Sequence, residues 1–333
     1  MTGQRRKSRD TANIRDVAQL AGVSAATVSH VLNGTRFVSE QTQDKVFAAI
    51  RELNYSPNIM ARKFKTGLND TVGFIVPDIA NGYFATLIQE VEEVLSANGF
   101  RLIVSNTRED PQRELDSIRT LSSGVVDGFV VASSVRDSGQ FSGVLPEGFP
   151  VVFVDRLVQG APGDFVITEN ATAIRQGVTD LVEAGFERIG VIASSRYLST
   201  TVERVEAYRA ALQSCGIDSD PRLVAYLTSI SDPIEPALQS LIDLGCTAIL
   251  ASNNVVTNRL LRIVSSARWR ERNLRVLGYR DPVYEIGKTR RISFIEEPVV
   301  DMGRIAGEAI VHRIAEPQTS ARHVTLHAVV DRS

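Results

Sequence analysis

Four histidines (His30, His312, His323 and His327) and two cysteines (Cys215 and Cys246) are the chain's entire stock of imidazole and thiol ligands. Two thiols cannot build a four-cysteine zinc site or a disulfide scaffold. His323 and His327 stand four apart, but in an alternating strand-like run, which is a weak signal for a metal. The sequence holds no GxxxxGK[ST] phosphate loop, no GxGxxG after its first apolar strand, no GxSxG and no HExxH. The histidines fall away from any one convergent place, so a Ser/His or Cys/His nucleophile has no support. No catalytic residue, cofactor or metal is expected, and the chain does not read as an enzyme.

What the residue types do offer is charge gathered at one end. Residues 1–65 hold eleven Lys/Arg against five Asp/Glu, a balance of +6, while the remainder carries 26 bases and 34 acids, a balance of −8. A small basic head on a large acidic body fits a nucleic-acid contact at that end. The 333 residues, 43% hydrophobic and 23% charged, suit two or three soluble domains with sizeable cores. No run approaches ~18 uninterrupted apolar residues, so no membrane span is expected. The opening MTGQRRKSRDTANIRD has no apolar stretch behind it, so no secretory signal is expected and cytoplasm is the default.

The elements that must position the basic head follow from local signals. After a basic arm over 1–12, Asn13 caps an expected helix 14–21, which Gly22-Val23 breaks. Ser24 caps a second, 25–32, closed by Asn33-Gly34. Ser39 opens a third, with Val46, Phe47, Ile50 and Leu53 as its apolar stripe. Two short helices joined by a glycine-containing turn and braced by a third make a helix-turn-helix over 13–55. Ser56-Pro57 then starts about two further turns before Thr66-Gly67. Helices under ~12 residues are marginal in water, so this 56–67 segment needs a partner helix or DNA to form.

From Thr71 onward strands alternate with helices. Strands are expected near 72–76, 102–105, 129–131, 151–154, 189–193, 248–251 and 276–278. Such an order implies parallel sheets covered on both faces, and two such units leave a cleft at the carboxyl ends of their strands. The late strand 292–295 and helix 299–314 are expected to cross back to the first lobe. The body then spans 68–333, with one lobe of about 68–167 and 297–326 and another of about 168–296 and 327–333.

IRDVAQLAGVSAATVSHVLNG followed by VSEQTQDKVFAAIRELNYSPNIMARKFKTG closely resembles the lactose-repressor/galactose-repressor (LacI/GalR) family of bacterial transcription regulators. The likeness continues through VGFIVPDIANGYF, VDGFVVASS, PVVFVDR, ERVEAYRAAL and AVVDRS, nearly the whole chain, and the head looks most like the purine-repressor branch. It implies an all-α helix-turn-helix head and an α/β body of two doubly wound parallel-sheet lobes, of periplasmic-binding-protein type. Recognition-helix residues near the N-terminus read base edges in the major groove. By resemblance these are Ala25, Ala26 and His30, with Thr27 and Ser29 on phosphates and Ser24 and Asn33 in the same DNA-facing set. Two alanines can touch a thymine methyl, and His30 can donate to a guanine acceptor. Residues 57–65 resemble a hinge helix in which Phe64 is the minor-groove wedge and Arg62, Lys63 and Lys65 face phosphates.

In the body the resemblance places an effector between the lobes. Tyr83 and Phe84 match pocket-wall aromatics, Asp155 a carboxylate for ligand hydroxyls, Arg204 an arginine clamp and Asn253 an amide of the second lobe. Two departures stand out: Arg280 occupies the place of an acid after Gly278-Tyr279, and Glu297 that of a glutamine before Pro298. Asn254 stands where relatives often have aspartate. Arginine in place of a carboxylate reverses the local field, so an anionic effector such as a sugar acid or sugar phosphate is expected. The competing assignment for Arg280 is an internal pair with Asp155, Asp281 or Glu297. The expected partners are double-stranded operator DNA, a small-molecule effector and a second copy of the chain, with no tetramer-forming tail after VVDRS. A solute-binding protein without DNA binding, or a sugar-processing enzyme of the same architecture, is the alternative.

Overall fold

Helix α1 (Ile14–Ala21) begins at a reciprocal cap in the computed structural model, which describes residues 12–33, 36–55, 68–229, 231–284 and 291–331. Asn13 Oδ1 accepts from the Arg15 and Asp16 amides, and Asp16 Oδ2 accepts from the Asn13 amide at 2.7 Å. Gly22, at φ +67°, ends the helix in the left-handed region that glycine enters without a Cβ penalty. Helix α2 (Ala25–Asn33) starts at Ser24, whose Oγ accepts from the Thr27 amide at 3.1 Å, and α3 (Glu40–Glu52) starts at Ser39. Val17, Val28 and Val46 are wholly buried and join the three helices. Phe47, expected in the stripe, is 41% exposed. Val46, Ala49, Ile50 and Leu53 recur every three or four residues on the inward face, and position 47 lies about 100° round from Val46.

The chain divides into two compact units, 1–69 and 70–333. The second unit holds two six-stranded sheets. The first contains β1 (Thr71–Val76), β2 (Arg101–Asn106), β3 (Gly128–Val131), β4 (Val151–Val154), β5 (Asp164–Glu169) and β11 (His323–His327), in the order β11-β5-β4-β3-β1-β2. The second contains β6 (Ile189–Ala193), β7 (Val224–Tyr226), β8 (Ala248–Ala251), β9 (Arg275–Tyr279), β10 (Ile292–Glu296) and β12 (Val329–Asp331), in the order β12-β10-β9-β8-β6-β7. Among the described residues all strand pairings are parallel except that of β12 with β10. Strands β1, β3, β4, β6 and β8 are buried at every position, as a sheet covered on both faces requires.

Helices α4 (Gly82–Ala97), α5 (Pro111–Ser122) and α11 (Val299–Ala315) cover the first sheet. Helices α6 (Ala171–Glu183), α7 (Ser199–Ser214), α8 (Ile234–Asp243) and α9 (Asn254–Val264), with the short α10 (Ala267–Arg270), cover the second. The strand at 292–295 does not cross back. It pairs with β9 from Ile292↔Val276 to Ile295↔Tyr279 and buries Phe294 and Ile295 in second-lobe cores. Only α11 crosses. The chain therefore changes lobe three times, between β5 and α6, β10 and α11, and β11 and β12. Strands β5 and β7 have no counterpart in the sequence expectation: β5 has only Phe165-Val166-Ile167 as an apolar run, and β7 is three residues long. Among the described residues no helix is long and apolar enough to cross a membrane.

Candidate functional site

In the head, α2 puts residues 26, 29, 30 and 33 on one side by helical spacing, and Val28 on the buried side. Ser24 and Ala26 are exposed, and Thr27, Ser29 and His30 are half-buried. Ala25 leans on the head core, and the Ser24 and Thr27 hydroxyls bond each other at 2.9 Å as part of the cap. The Asn33 side chain and the hinge residues Arg62, Lys63, Phe64 and Lys65 lie outside the described residues.

In the body, side chains from both lobes meet at the carboxyl ends of the strands. Tyr83, on the first turn of α4, donates from its phenol to Asp155 Oδ1 at 3.1 Å and to Met302 Sδ at 3.3 Å. Burial, with Asp155 beside it, holds that phenol well above the usual tyrosine range. Asp155 follows β4 at φ +65°, a left-handed conformation unusual for a residue with a side chain. Arg156, buried next to it, pairs with Glu109 Oε1 at 2.8 Å and with Asp155 Oδ2 at 3.4 Å. Phe84 packs in the first-lobe core with the Arg156 guanidinium 6.0 Å from its ring, a step behind Tyr83.

From the second lobe comes Arg204, on α7. Its Nη1 donates to the Ser252 carbonyl at 2.7 Å and its Nη2 to Glu297 Oε1 at 2.6 Å. Its guanidinium carbon lies 4.1 Å from the centre of the Tyr279 ring, whose hydroxyl donates to Asn170 Oδ1. Arg204 Nε is buried without a hydrogen-bond partner. Burial pushes the Glu297 carboxyl up to about 7, with Asp155 and Glu203 acting in the same direction and Arg204 against them.

The lobes also touch at the rim. Asn81 Oδ1, which caps α4 by accepting from the Tyr83 amide, accepts from Asn254 Nδ2 at 2.6 Å. Asp281, 3% exposed, accepts from Asn254 Nδ2, Asn258 Nδ2 and the Val283 amide. A Cβ on Gly82 would stand 2.3 Å from Asp281 Oδ1, so only glycine permits this approach. On another flank Arg136 Nη2 donates to the Arg196 carbonyl at 2.9 Å, and the Leu157 amide donates to Ser199 Oγ at 3.2 Å.

Tyr83, Asp155, Arg204 and Glu297 thus converge, while three other expected positions do not join them, the first being Phe84 in the first-lobe core. Asn253 Oδ1 caps α9 by accepting from the Val256 amide, and its Nδ2 donates to Ser194 Oγ at 2.6 Å, so its amide is engaged by its own helix cap and the Ser194 hydroxyl. Arg280 lies over the Phe294 ring and pairs at 2.5 Å with both Glu296 and Asp331, none of the acids considered from sequence. Its charge is already answered twice. Sequence reasoning missed Arg156, Tyr279 and the Asn81–Gly82 contact with Asn254 and Asp281. The Asp155-Arg156 dipeptide was the visible signal for the first. His323 packs against Phe165 with the rings tilted at 50° and His327 lies 3.4 Å from Glu169; among the described residues no His, Cys, Asp and Glu group could hold a metal.

A helix-turn-helix head and a two-lobed α/β body with buried polar side chains gathered at the strand ends of its two sheets fit a ligand-responsive DNA-binding regulator. A family described as "Bacterial regulatory proteins, lacI family" matches residues 13–58. One described as "Periplasmic binding proteins and sugar binding domain of LacI family" matches residues 69–274. The chain belongs to the LacI family. It is 30% identical to the ribose operon repressor of Bacillus subtilis (strain 168), over 90% of this chain and 91% of that one. It is 29% identical to the HTH-type transcriptional repressor PurR of Vibrio atlanticus (strain LGP32), over 97% and 98%. A solved transcriptional regulator CelR–cellobiose complex is similar at a TM-score of 0.69 and 28% identity, over 96% and 98% of the two chains. The protein is a DNA-binding, effector-controlled transcription repressor rather than an enzyme.

Proposed function

We propose that this repressor works in the cytoplasm as a homodimer on a near-palindromic operator, and that its effector is a small carbohydrate or related polyhydroxylated metabolite held between the lobes. The observation that carries the effector reading is the meeting of Tyr83, Asp155, Arg204 and Glu297 at the strand ends of both sheets. Strand ends at an interlobe crevice are where open α/β sheets bind ligands. Carboxylates and a buried guanidinium supply acceptors and donors for a ring of hydroxyls. The relatives named for the ribose operon and the cellobiose complex support the same ligand class. An anionic effector clamped by Arg280 is not part of this reading, because Glu296 and Asp331 already hold that guanidinium.

On DNA, Ala26 and His30 read base edges, with Ser29 beside them on phosphate, and Phe64 wedges the minor groove at a central CpG step between paired hinges. Two heads one helical turn apart need a two-fold protein. The limits 13–55 for the head, 56–67 for the hinge and 68–333 for the effector body belong to the same proposal. Lobe closure couples the sites by changing whether the hinges can pair. Selection from random DNA is expected to return a palindrome of two half-sites about one turn apart. An asymmetric or direct-repeat consensus defeats the dimer reading. A thermal-shift panel grouped by chemical class tests the effector, since a binder stabilises the fold by mass action. A panel in which only non-carbohydrate compounds raise the melting temperature defeats that half.

A further inference from the structure

We propose that Glu297 sets the charge selectivity of the cleft: by holding the outer edge of the Arg204 guanidinium it turns anionic ligands away and leaves the site to neutral polyhydroxylated ones. This rests on the cleft being the effector site. Arg204 is fixed on three sides, by the Ser252 carbonyl at Nη1, by Glu297 at Nη2 and by the Tyr279 ring below. A carboxylate or phosphate binds arginine best through two parallel N–H donors. The Nε–Nη2 edge is such a pair, but Glu297 Oε1 already sits 2.6 Å from Nη2 while Nε has no partner. Nε is buried and Glu297 stands against the Nη2 end of that edge, so a carboxylate or phosphate that takes both donors must sit against the Glu297 charge, whereas a neutral hydroxyl need not.

The surrounding field points the same way. Glu297 is faced by Arg204 and Glu203 of α7, by Asp155 after β4, and by the Tyr83 and Tyr279 phenols. Glu203 is itself anchored, accepting from the Asn170 amide at 2.9 Å. Arg156, the other guanidinium nearby, is shared between Glu109 and Asp155. The neighbouring Glu296 is engaged by Arg280. With two guanidiniums set against Asp155, Glu297, Glu203 and Glu109, an incoming anion meets acids in excess in a poorly solvated space. The block is also proton-sensitive, because a carboxyl that titrates near 7 is partly neutral just below it.

The experiment is calorimetry on the full chain, wild type and Glu297→Gln, with glucose, glucuronate and sulfate as probes at pH 6 and pH 8. At pH 8 the variant is expected to bind glucuronate or sulfate about tenfold or more tightly than wild type does. Neither anion titrates between these pH values, so wild-type affinity for them is expected to rise toward pH 6 and the variant's to stay level. The gain must vanish in the double variant Glu297→Gln/Arg204→Gln, with circular dichroism showing each variant folded. Equal anion binding by wild type and Glu297→Gln overturns the proposal, as does a gain that survives loss of Arg204. Anion gain in the variant, with no neutral sugar of the thermal-shift panel bound by wild type, keeps the Glu297 block and removes the carbohydrate reading instead.

Discussion

Gly82→Ala is the substitution with the sharpest geometric consequence. The added Cβ would lie 2.3 Å from Asp281 Oδ1 and 3.1 Å from Val283 Cγ2, across the rim between the lobes. Relief needs either a separation on the order of 1 Å or a turn of the Asp281 carboxylate. The carboxylate is not free to turn, because Asn254 and Asn258 donate to one oxygen and the Val283 amide to the other. Giving up one hydrogen bond to a charged group costs about 1.5–3 kcal/mol. That cost falls on the closed form alone, so a ligand that needs closure loses about tenfold to a hundredfold in affinity. Gly82 is the first residue of α4 and not its middle, so helix propensity changes little with the substitution. The expected variant therefore keeps its melting temperature and binds effector weakly by calorimetry, with a larger radius of gyration in X-ray scattering with effector. Wild-type affinity and radius in the variant would show that the lobes do not meet at Gly82 when ligand is bound.

Arg280→Gln is expected to leave carbohydrate binding within about twofold of wild type and to lower stability by ~1 kcal/mol or less, as its pairs are partly exposed; a tenfold loss of affinity returns Arg280 to the cleft. Val28→Ala removes wholly buried carbon from the head and is expected to cost about 1.5–3 kcal/mol there. Operator binding should then fall on warming before effector binding does, read by gel shift and calorimetry on one preparation. Phe64→Ala should weaken operator binding more than random-DNA binding, and Lys65→Ala should weaken both and flatten the salt slope by about one unit. Equal losses on both DNAs in both variants would take Phe64 out of the minor groove. The Glu297 carboxyl is raised from 4.5 to about 7 by burial, so its cost to stability appears as pH climbs through that window and is full above it. Relative to wild type, Glu297→Gln should gain stability between pH 4.5 and 7 in denaturation curves; a pH-independent difference removes the raised carboxyl.

The head was legible because its signals are local: a capping residue, a glycine at φ +67° and apolar residues three or four apart. Phe47 was misplaced only because one residue of helical phase separates the stripe from its neighbour. In the body, buried strand runs announced parallel sheets, yet the fate of the 292–295 strand depended on its pairing with β9, which no local pattern states. The cleft was half legible for the same reason. Asp155 and Arg204 stood in motifs that resemblance could carry over. The partners of Arg280 lie 16 and 51 residues further on, and that of Arg204 lies 93 residues away, so type and spacing could not say which arginine stays open to a ligand. Asn253 and Asn254 show the limit most plainly. Neighbouring and chemically identical, one is used up by its own helix cap while the other reaches Asn81 on the opposite lobe.

The three lobe crossings also dictate the order in which the molecule can be finished on the ribosome. Residues 71–169 supply five strands of the first sheet, but the sixth and the helix over their apolar face come from 299–327. Leu87, Val91 and Leu95 await Met302, Ala306 and Ile310, which emerge only after the whole middle of the other lobe. At roughly 5–20 residues per second, that leaves an unfinished lobe for many seconds while the other is synthesised through its middle. Neither lobe closes its core early, and both are completed almost together by the same short stretch, 299–331. Premature termination anywhere before residue 299 therefore spoils the lobe made first, and the fragment passes to chaperones and proteases instead of surviving as a half-working body.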